Sequence, residues 1–148
     1  MNYGNILRGI EHTMQHLLIS WLSRKPSAEL LQLAETMREN IANVNFKVSD
    51  AIAKIPLNAN YVRKQFRQVY GVSPVTFMNQ LRINEAKKYL LADDLPISEL
   101  ALRCGFADAK YFTRLFHNST HFSPLEYRKF YQKMQEMGQE LPLRSAAD

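Results

Sequence analysis

Apolar residues recur along this chain at steps of three and four positions, which is the period of an amphipathic helix. Glycine is scarce, at 5 of 148 residues. A first amphipathic helix is predicted near residues 3–23, and Pro26 blocks its extension. Ser27 is well placed to cap a second helix that runs to about Asn43. We therefore expect an all-α protein.

One pattern of residues occurs twice, fifty positions apart. Residues 61–66 read Tyr-Val-Arg-Lys-Gln-Phe and residues 111–116 read Tyr-Phe-Thr-Arg-Leu-Phe, and each run is followed at the same distance by Ser-Pro. A short amphipathic segment and a tight break precede each copy, which is the arrangement of a helix-turn-helix. Two such units would give one chain two recognition helices, a combination that indicates DNA binding.

In the first unit, Pro56 breaks a short helix, and Asn58 is placed to cap the next one. Gly71 follows that helix, at the position where a left-handed residue is needed. The apolar residues of the helix face inward, and the side chains left on its outer side are Asn60, Arg63, Lys64 and Arg67.

A long helix from about Pro74 to Leu91 carries apolar residues on several sides, so we expect it to pack between the two units. In the second unit, Gly105 supplies the turn and Asp108 caps the second helix. A closing helix follows the second Ser-Pro, with apolar contacts at Tyr127 and Phe130. The outward residues of the second unit are Ala109, Lys110, Thr113 and Arg114.

The formal charge of +5 is unevenly distributed along the chain. Residues 47–133 hold fourteen Lys and Arg against seven Asp and Glu, a net of +7, and the remainder nets −2. A basic segment of this kind favours a polyanionic partner. Within it, Arg82 and Arg103 are expected to form internal ion pairs. Cys104 is the one cysteine and fits a reducing compartment.

The sequence contains no motif typical of an enzyme: it has no glycine-rich phosphate loop, no nucleophile elbow and no paired carboxylates. No catalytic residue and no cofactor are therefore expected. His12 and His16 stand four positions apart, as do His117 and His121, but neither pair has a third ligand, so we expect no metal site. No stretch reads as a membrane span or a secretory signal, which favours a cytoplasmic protein without membrane contact.

Several further motifs occur in a fixed order along residues 30–131. They are Leu81-Arg82-Ile83, Ala86 and Tyr89-Leu90-Leu91 in the long helix, Ile97, Leu100-Ala101, Cys104-Gly105-Phe106 and Asp108 in the second unit, and then Tyr111-Phe112, Arg114, Phe116, Ser123-Pro124 and Tyr127-Arg128. With these motifs, about two-thirds of the chain resembles the DNA-binding domain of AraC/XylS-type transcription regulators.

The resemblance implies a two-lobed, all-helical domain that inserts two recognition helices into successive major-groove segments of double-stranded DNA, about 34 Å apart. It also implies a regulator that touches RNA polymerase. Carried over by position, the base-reading residues are Asn60, Arg63 and Lys64 in the first unit and Ala109, Lys110, Thr113 and Arg114 in the second. Arg67 and Lys129 are better suited to phosphate contacts, which position the protein without reading sequence.

The chain departs from the family pattern at three places. Pro56 stands near the family's usual glycine, in a first turn that is shorter than usual. His117-Asn118 replaces a basic pair, and His121 replaces the glycine before the second Ser-Pro. If His121 is left-handed, it costs about 1 kcal/mol of stability relative to glycine.

The sequence predicts three parts. Residues 1–26 form an amphipathic helix that the DNA-binding domain does not need, which indicates the end of an absent sensor domain and a contact for a homodimer. The alternative is that this helix folds back onto the domain. Residues 27–132 form the double helix-turn-helix domain, and residues 133–148 form a flexible tail.

A second hypothesis for the function is a helical protein-interaction module whose basic face is incidental. A face that binds protein should expose apolar anchors. The outward positions of both units are mostly polar or basic, so the sequence favours DNA binding.

Overall fold

The structure, a computed structural model, describes residues 14–17 and 25–138. Between residues 25 and 138 it consists of helices joined by turns, without strands. In chain order the helices are α1 (Ala28–Glu39), α2 (Val48–Ala53), α3 (Ala59–Tyr70), α4 (Pro74–Ala92), α5 (Ile97–Arg103), α6 (Ala109–Thr120) and α7 (Pro124–Glu136). The prediction of an all-α fold with two helix-turn-helix units joined by a long central helix is confirmed.

Five of the helices between residues 25 and 138 begin with a short polar side chain that satisfies a free backbone N–H group of the first turn. Asn58 accepts hydrogen bonds from two N–H groups in the first turn of α3, at 3.0 and 3.2 Å. Asp108 does the same for α6, at 2.8 and 3.3 Å. The two recognition helices therefore start at equivalent positions of the repeat, as the sequence predicts.

Helix α7 begins with a reciprocal capping pair. The N–H of Ser123 donates to the Glu126 carboxylate at 2.8 Å, and the N–H of Glu126 donates to the Ser123 hydroxyl at 3.3 Å. The hydrogen bonds from the backbone and side chain of Ser123 lower the pKa of Glu126. Pro124 occupies the first helical position, where a missing N–H costs nothing.

Two predicted boundaries differ from the structure. Helix α1 ends at Glu39 rather than near Asn43, because the asparagines that follow form turns; the Asn43 amide donates to Asn40 at 3.2 Å. Helix α7 continues to Glu136, so the predicted boundary at residue 133 falls inside it. Residues 14–17 are helical and exposed, and the rest of the helix predicted near residues 3–23 lies outside the described residues.

Two hydrophobic cores lie on either side of the middle of α4. The first is formed by α1–α3 and the start of α4, with Leu33, Met37, Ile52, Val62, Phe66 and Met78 among its buried members. The second is formed by the end of α4 and α5–α7, with Ile83, Leu90, Leu100, Cys104, Phe112, Phe116 and Tyr127. Burial raises the pKa of the Cys104 thiol to about 12, so this cysteine acts as a small hydrophobic residue.

The central helix α4 contacts every other helix between residues 25 and 138. Arg82, near its middle, is buried and does not form the ion pair that we predicted. Its guanidinium donates instead to the backbone carbonyls of Ile41 and Asn43, at 3.1 and 2.9 Å. Arg103 does form the predicted pair, with Glu99 at 3.4 Å on an exposed surface.

A second buried arginine, Arg128, fastens α7 to the end of α4. Its guanidinium donates to the carbonyl of Leu90 at 3.4 Å and to that of Leu95 at 2.7 Å. The Leu90 carbonyl belongs to the last turn of α4, where helical carbonyls lack partners. Phe130, predicted as an apolar contact of α7, is 45% exposed and stacks on Phe122 with ring centroids 5.4 Å apart.

The two helix-turn-helix turns have the same length, since residues 54–57 and 104–107 separate a helix from the next N-cap in both units. The first turn is therefore not shortened relative to the second. Gly105 is left-handed, with φ of 84°. A Cβ on Gly105 would collide with the Ile41 carbonyl and the Arg82 side chain, so the two lobes touch at this glycine.

We predict that Gly105→Ala lowers the free energy of unfolding by about 3 kcal/mol or more, because it adds a collision to the left-handed strain. Gly71 offers a matched control. It is also left-handed, at φ of 79°, but the space around it is open. Gly71→Ala should cost only about 1 kcal/mol. Equal losses for the two variants in chemical denaturation would contradict the close contact at Gly105.

His121 is left-handed, with φ of 64°, at the C-terminal end of α6. We expect His121→Gly to raise the free energy of unfolding by up to about 1 kcal/mol, because glycine adopts this conformation without steric cost. The reciprocal change at the equivalent position of the repeat, Gly71→His, should lower it by a similar amount. A lower melting temperature for His121→Gly would show that the strain is not relieved there.

Candidate nucleic-acid interface

The first recognition helix, α3, divides cleanly into a buried and an exposed side. Val62 and Phe66 are 1% and 0% exposed in the first core. The residues predicted to face outward, which are Asn60, Arg63, Lys64 and Arg67, are all exposed. Arg63 donates from its guanidinium to the Asn60 amide oxygen at 3.4 Å. The two residues therefore lie side by side on the outer face.

The second recognition helix, α6, buries Phe112 and Phe116 completely. Lys110 and Arg114 are exposed on its opposite side, whereas Ala109 and Thr113 are half-buried. The Thr113 hydroxyl donates to the Ala109 carbonyl at 2.9 Å. The threonine methyl is thus the group that remains for an apolar contact.

The predicted residues of the second unit line a shared concave surface. A shallow, open groove of about 500 Å³ lies against α6, and it is bordered by Ala109, Lys110, Thr113, Arg114, His117, Asn118 and Ser123. From the sequence, no DNA contact was predicted for His117 and Asn118, which replace a basic pair of the family. Their positions four residues after Thr113 and Arg114 could have placed them on the same face.

Neither recognition helix contains an acidic residue. Residues 59–70 and 109–120 include no Asp or Glu, and the cations on their outer faces are Arg63, Lys64, Arg67, Lys110 and Arg114. The ion pairs within residues 25–138 lie elsewhere, and join Arg38 to Glu35, Lys88 to Glu85 and Arg103 to Glu99. In this part of the chain the five cations are therefore not neutralised by carboxylates, which suits a polyanion.

One cation of α6 has an aromatic neighbour that the sequence did not reveal. The Arg114 guanidinium lies over the ring of Tyr111, with its carbon 5.4 Å from the ring centroid. The Tyr111 hydroxyl also bonds to the side-chain amide of Asn79 in the central helix, at 3.2 Å. Tyr111 and Arg114 are three residues apart on one helix, so helical periodicity could have indicated their contact. The bond to Asn79 joins residues 32 positions apart in the chain, which periodicity does not predict.

The two residues predicted to contact phosphate lie on different helices. Arg67 is in the last turn of α3, and Lys129 is near the middle of α7. Both are exposed. No helix in residues 14–17 or 25–138 combines the length and apolar character needed to cross a bilayer.

Two helix-turn-helix units on one central helix, each presenting an acid-free recognition helix, define a bipartite DNA-binding domain. A family model described as a helix-turn-helix domain matches residues 52–129. The chain belongs to this family, which comprises the AraC/XylS-type transcription regulators. The family consists of DNA-binding transcription regulators and not of enzymes, which confirms the predicted DNA-binding domain and gives no support to the interaction-module hypothesis.

Curated relatives agree with this assignment over the same segment. The chain is 32% identical over 81 residues to the HTH-type transcriptional activator RhaS of Shigella boydii, covering 54% of this chain and 29% of RhaS. It is 31% identical over 104 residues to the HTH-type transcriptional activator RhaR of Yersinia pseudotuberculosis, covering 70% of this chain and 36% of RhaR. The chain thus spans about a third of the length of these relatives.

A solved structure shows the same fold. The chain superimposes with a TM-score of 0.69 on the DNA-binding domain of AdpA, a global transcriptional factor crystallised in complex with a target DNA. The two are 24% identical, and the match covers 76% of this chain and 100% of the AdpA domain. The similarity therefore includes both helix-turn-helix units.

Proposed function

We propose that this chain reads DNA sequence by placing α3 and α6 in successive major-groove segments on one face of the duplex. The observation that carries the proposal is the pair of exposed, acid-free cationic faces on helices that share one central helix. One molecule then recognises two boxes about ten base pairs apart, without the two-fold symmetry of a dimer's operator.

In the first unit, Asn60, Arg63 and Lys64 are assigned to base edges. Arginine can bind guanine through two parallel hydrogen bonds, and asparagine suits adenine in the same way. The bond of 3.4 Å between Arg63 and Asn60 would be exchanged for these contacts when DNA binds. Its length indicates a weak internal bond, so the exchange costs little.

In the second unit, Lys110 and Arg114 are assigned to guanine, and Ala109 and Thr113 to a thymine methyl group. The engaged Thr113 hydroxyl supports this division, because it leaves the methyl as the free group. Arg67 and Lys129 are assigned to phosphates. Arg67 lies at the far end of the outer face of α3, in its last turn, and Lys129 lies on α7, outside the recognition helices. Both are exposed.

Three further features of the proposal concern the intact regulator. Both relatives named above are called activators, and we infer that this chain acts on transcription by touching RNA polymerase when it is bound to DNA. We also infer a cytoplasmic location, where a DNA-binding regulator finds its target.

The apolar stripe of residues 6–21 would support a homodimer. Sedimentation of the chain against a version that starts at Ser27 tests the dimer, which two monomers would exclude.

The proposal is tested by selecting binding sites from random duplex DNA at moderate salt and sequencing the selected pool. We expect a non-palindromic motif of two boxes about ten base pairs apart. A single box would remove one of the two units as a reader. Binding that lacks sequence enrichment and disappears as salt rises would reduce the interaction to phosphate attraction and overturn the proposal.

For Arg114→Ala we predict a loss of about 1–3 kcal/mol of binding free energy on the selected site, with relaxed preference at one base position. The measurement is a set of dissociation constants on the selected site and on its single-base variants. Preferences at the other positions should stay unchanged. A uniform loss on all sequences would instead assign Arg114 to phosphate.

Arg67→Ala should show the opposite behaviour, because a phosphate contact carries no sequence information. We expect affinity to fall by a similar factor on every duplex. The slope of log K against log salt should become smaller by about 1. Arg38, an exposed arginine of α1 paired with Glu35, offers a control whose removal should leave this slope unchanged. Relaxed base preference in Arg67→Ala would contradict the assignment.

A further inference from the structure

Tyr111 connects the central helix to the outer face of the second recognition helix. Its hydroxyl bonds to the Asn79 amide at 3.2 Å, and its ring faces the Arg114 guanidinium at 5.4 Å. The ring also packs edge-to-face against Phe106, with ring centroids 6.2 Å apart. Phe106 itself is 3% exposed in the second core. The Tyr111 side chain is therefore held at its hydroxyl by Asn79 and at its ring by Phe106, and the ring also contacts Arg114.

The first unit lacks this arrangement at the equivalent positions. Tyr61 stands where the repeat places Tyr111, but it is 53% exposed, against 36% for Tyr111. Within residues 25–138 the Tyr61 hydroxyl has no hydrogen bond and its ring has no aromatic or cationic neighbour. Lys64 occupies the position of Arg114, and lysine lacks the planar guanidinium that stacks on a ring. The support for the side chain is thus specific to the second unit.

We propose that Tyr111, held by Asn79, is a positioning residue that fixes the Arg114 guanidinium for one guanine of the second box. This inference rests on the proposed function, in which Arg114 reads a base. It adds two residues, Asn79 and Tyr111, that contribute to specificity through Arg114.

Preorganisation explains why such a support would matter. An exposed arginine has many rotamers, and it loses this freedom when it binds a base edge. Bidentate contact with guanine also requires the guanidinium plane to be correctly oriented. A ring held at a fixed place restricts both the rotamer and the plane before DNA arrives. A base other than guanine cannot form two hydrogen bonds with a guanidinium held in this orientation. The support therefore increases discrimination between bases as well as affinity.

The experiment compares dissociation constants on the selected site and on duplexes changed only at the base whose preference Arg114→Ala relaxes. Tyr111→Leu removes the ring, and should reduce discrimination at that base by roughly two- to tenfold. Tyr111→Phe and Asn79→Ala each remove the same hydrogen bond. They should give equal, smaller reductions, and the double variant should show no further loss. Tyr61→Leu is the matched control and should leave this base preference unchanged.

A double-mutant comparison with Arg114→Ala distinguishes a positioning role of Tyr111 from a general effect on folding. In an Arg114→Ala background, Tyr111→Leu should have no additional effect on discrimination. Reduced affinity by the same factor on every duplex, or unchanged discrimination in both Tyr111→Phe and Asn79→Ala, would overturn the inference while the proposed function stands. A chain that selects no sequence at all would overturn the proposed function together with it.

Discussion

The buried guanidinium of Arg82 is the interaction on which the arrangement of the two lobes depends. It projects from the central helix, donates to the carbonyls of Ile41 and Asn43 in the first lobe, and lies 5.8 Å from the ring of Phe106 in the second. Burial lowers the pKa of Arg82, and the neighbouring Tyr111 acts in the opposite direction. Without Arg82, the carbonyls of half-buried Ile41 and exposed Asn43 would lose this partner, and the hydrogen bonds that join the central helix to the first lobe would be lost.

This contact has a functional consequence, because a protein that reads two boxes must hold its recognition helices at a fixed separation. Each lobe has its own hydrophobic core, and the two cores meet only through the continuous helix α4. Arg82 and the close approach of Gly105 to Ile41 add direct contacts between the lobes at the junction. In the proposed function, these junction contacts and the continuous helix α4 hold the two recognition helices at the separation that the two boxes require.

The two units are equivalent in backbone design and different in chemistry. Both have a capped recognition helix, a turn of equal length and a left-handed residue after the helix, at Gly71 and His121. The first outer face carries three cations and the second carries two. Only the second has an arginine stacked on an anchored tyrosine. The first unit thus presents more positive charge, and the second presents an arginine whose side chain is held by its neighbours.

The sequence by itself determined the features that depend on neighbouring positions along the chain. Caps at Asn58 and Asp108, the buried and exposed faces of both recognition helices, and the internal repeat follow from contacts within one or two helical turns. Only the tertiary structure decided the partners of Arg82 and Tyr111, which lie 41 and 32 residues away along the chain. Helical periodicity places a side chain on a face, but it does not say which distant carbonyl or amide that face will meet. That choice is made when the lobes pack against α4, since each buried polar group must then find a partner.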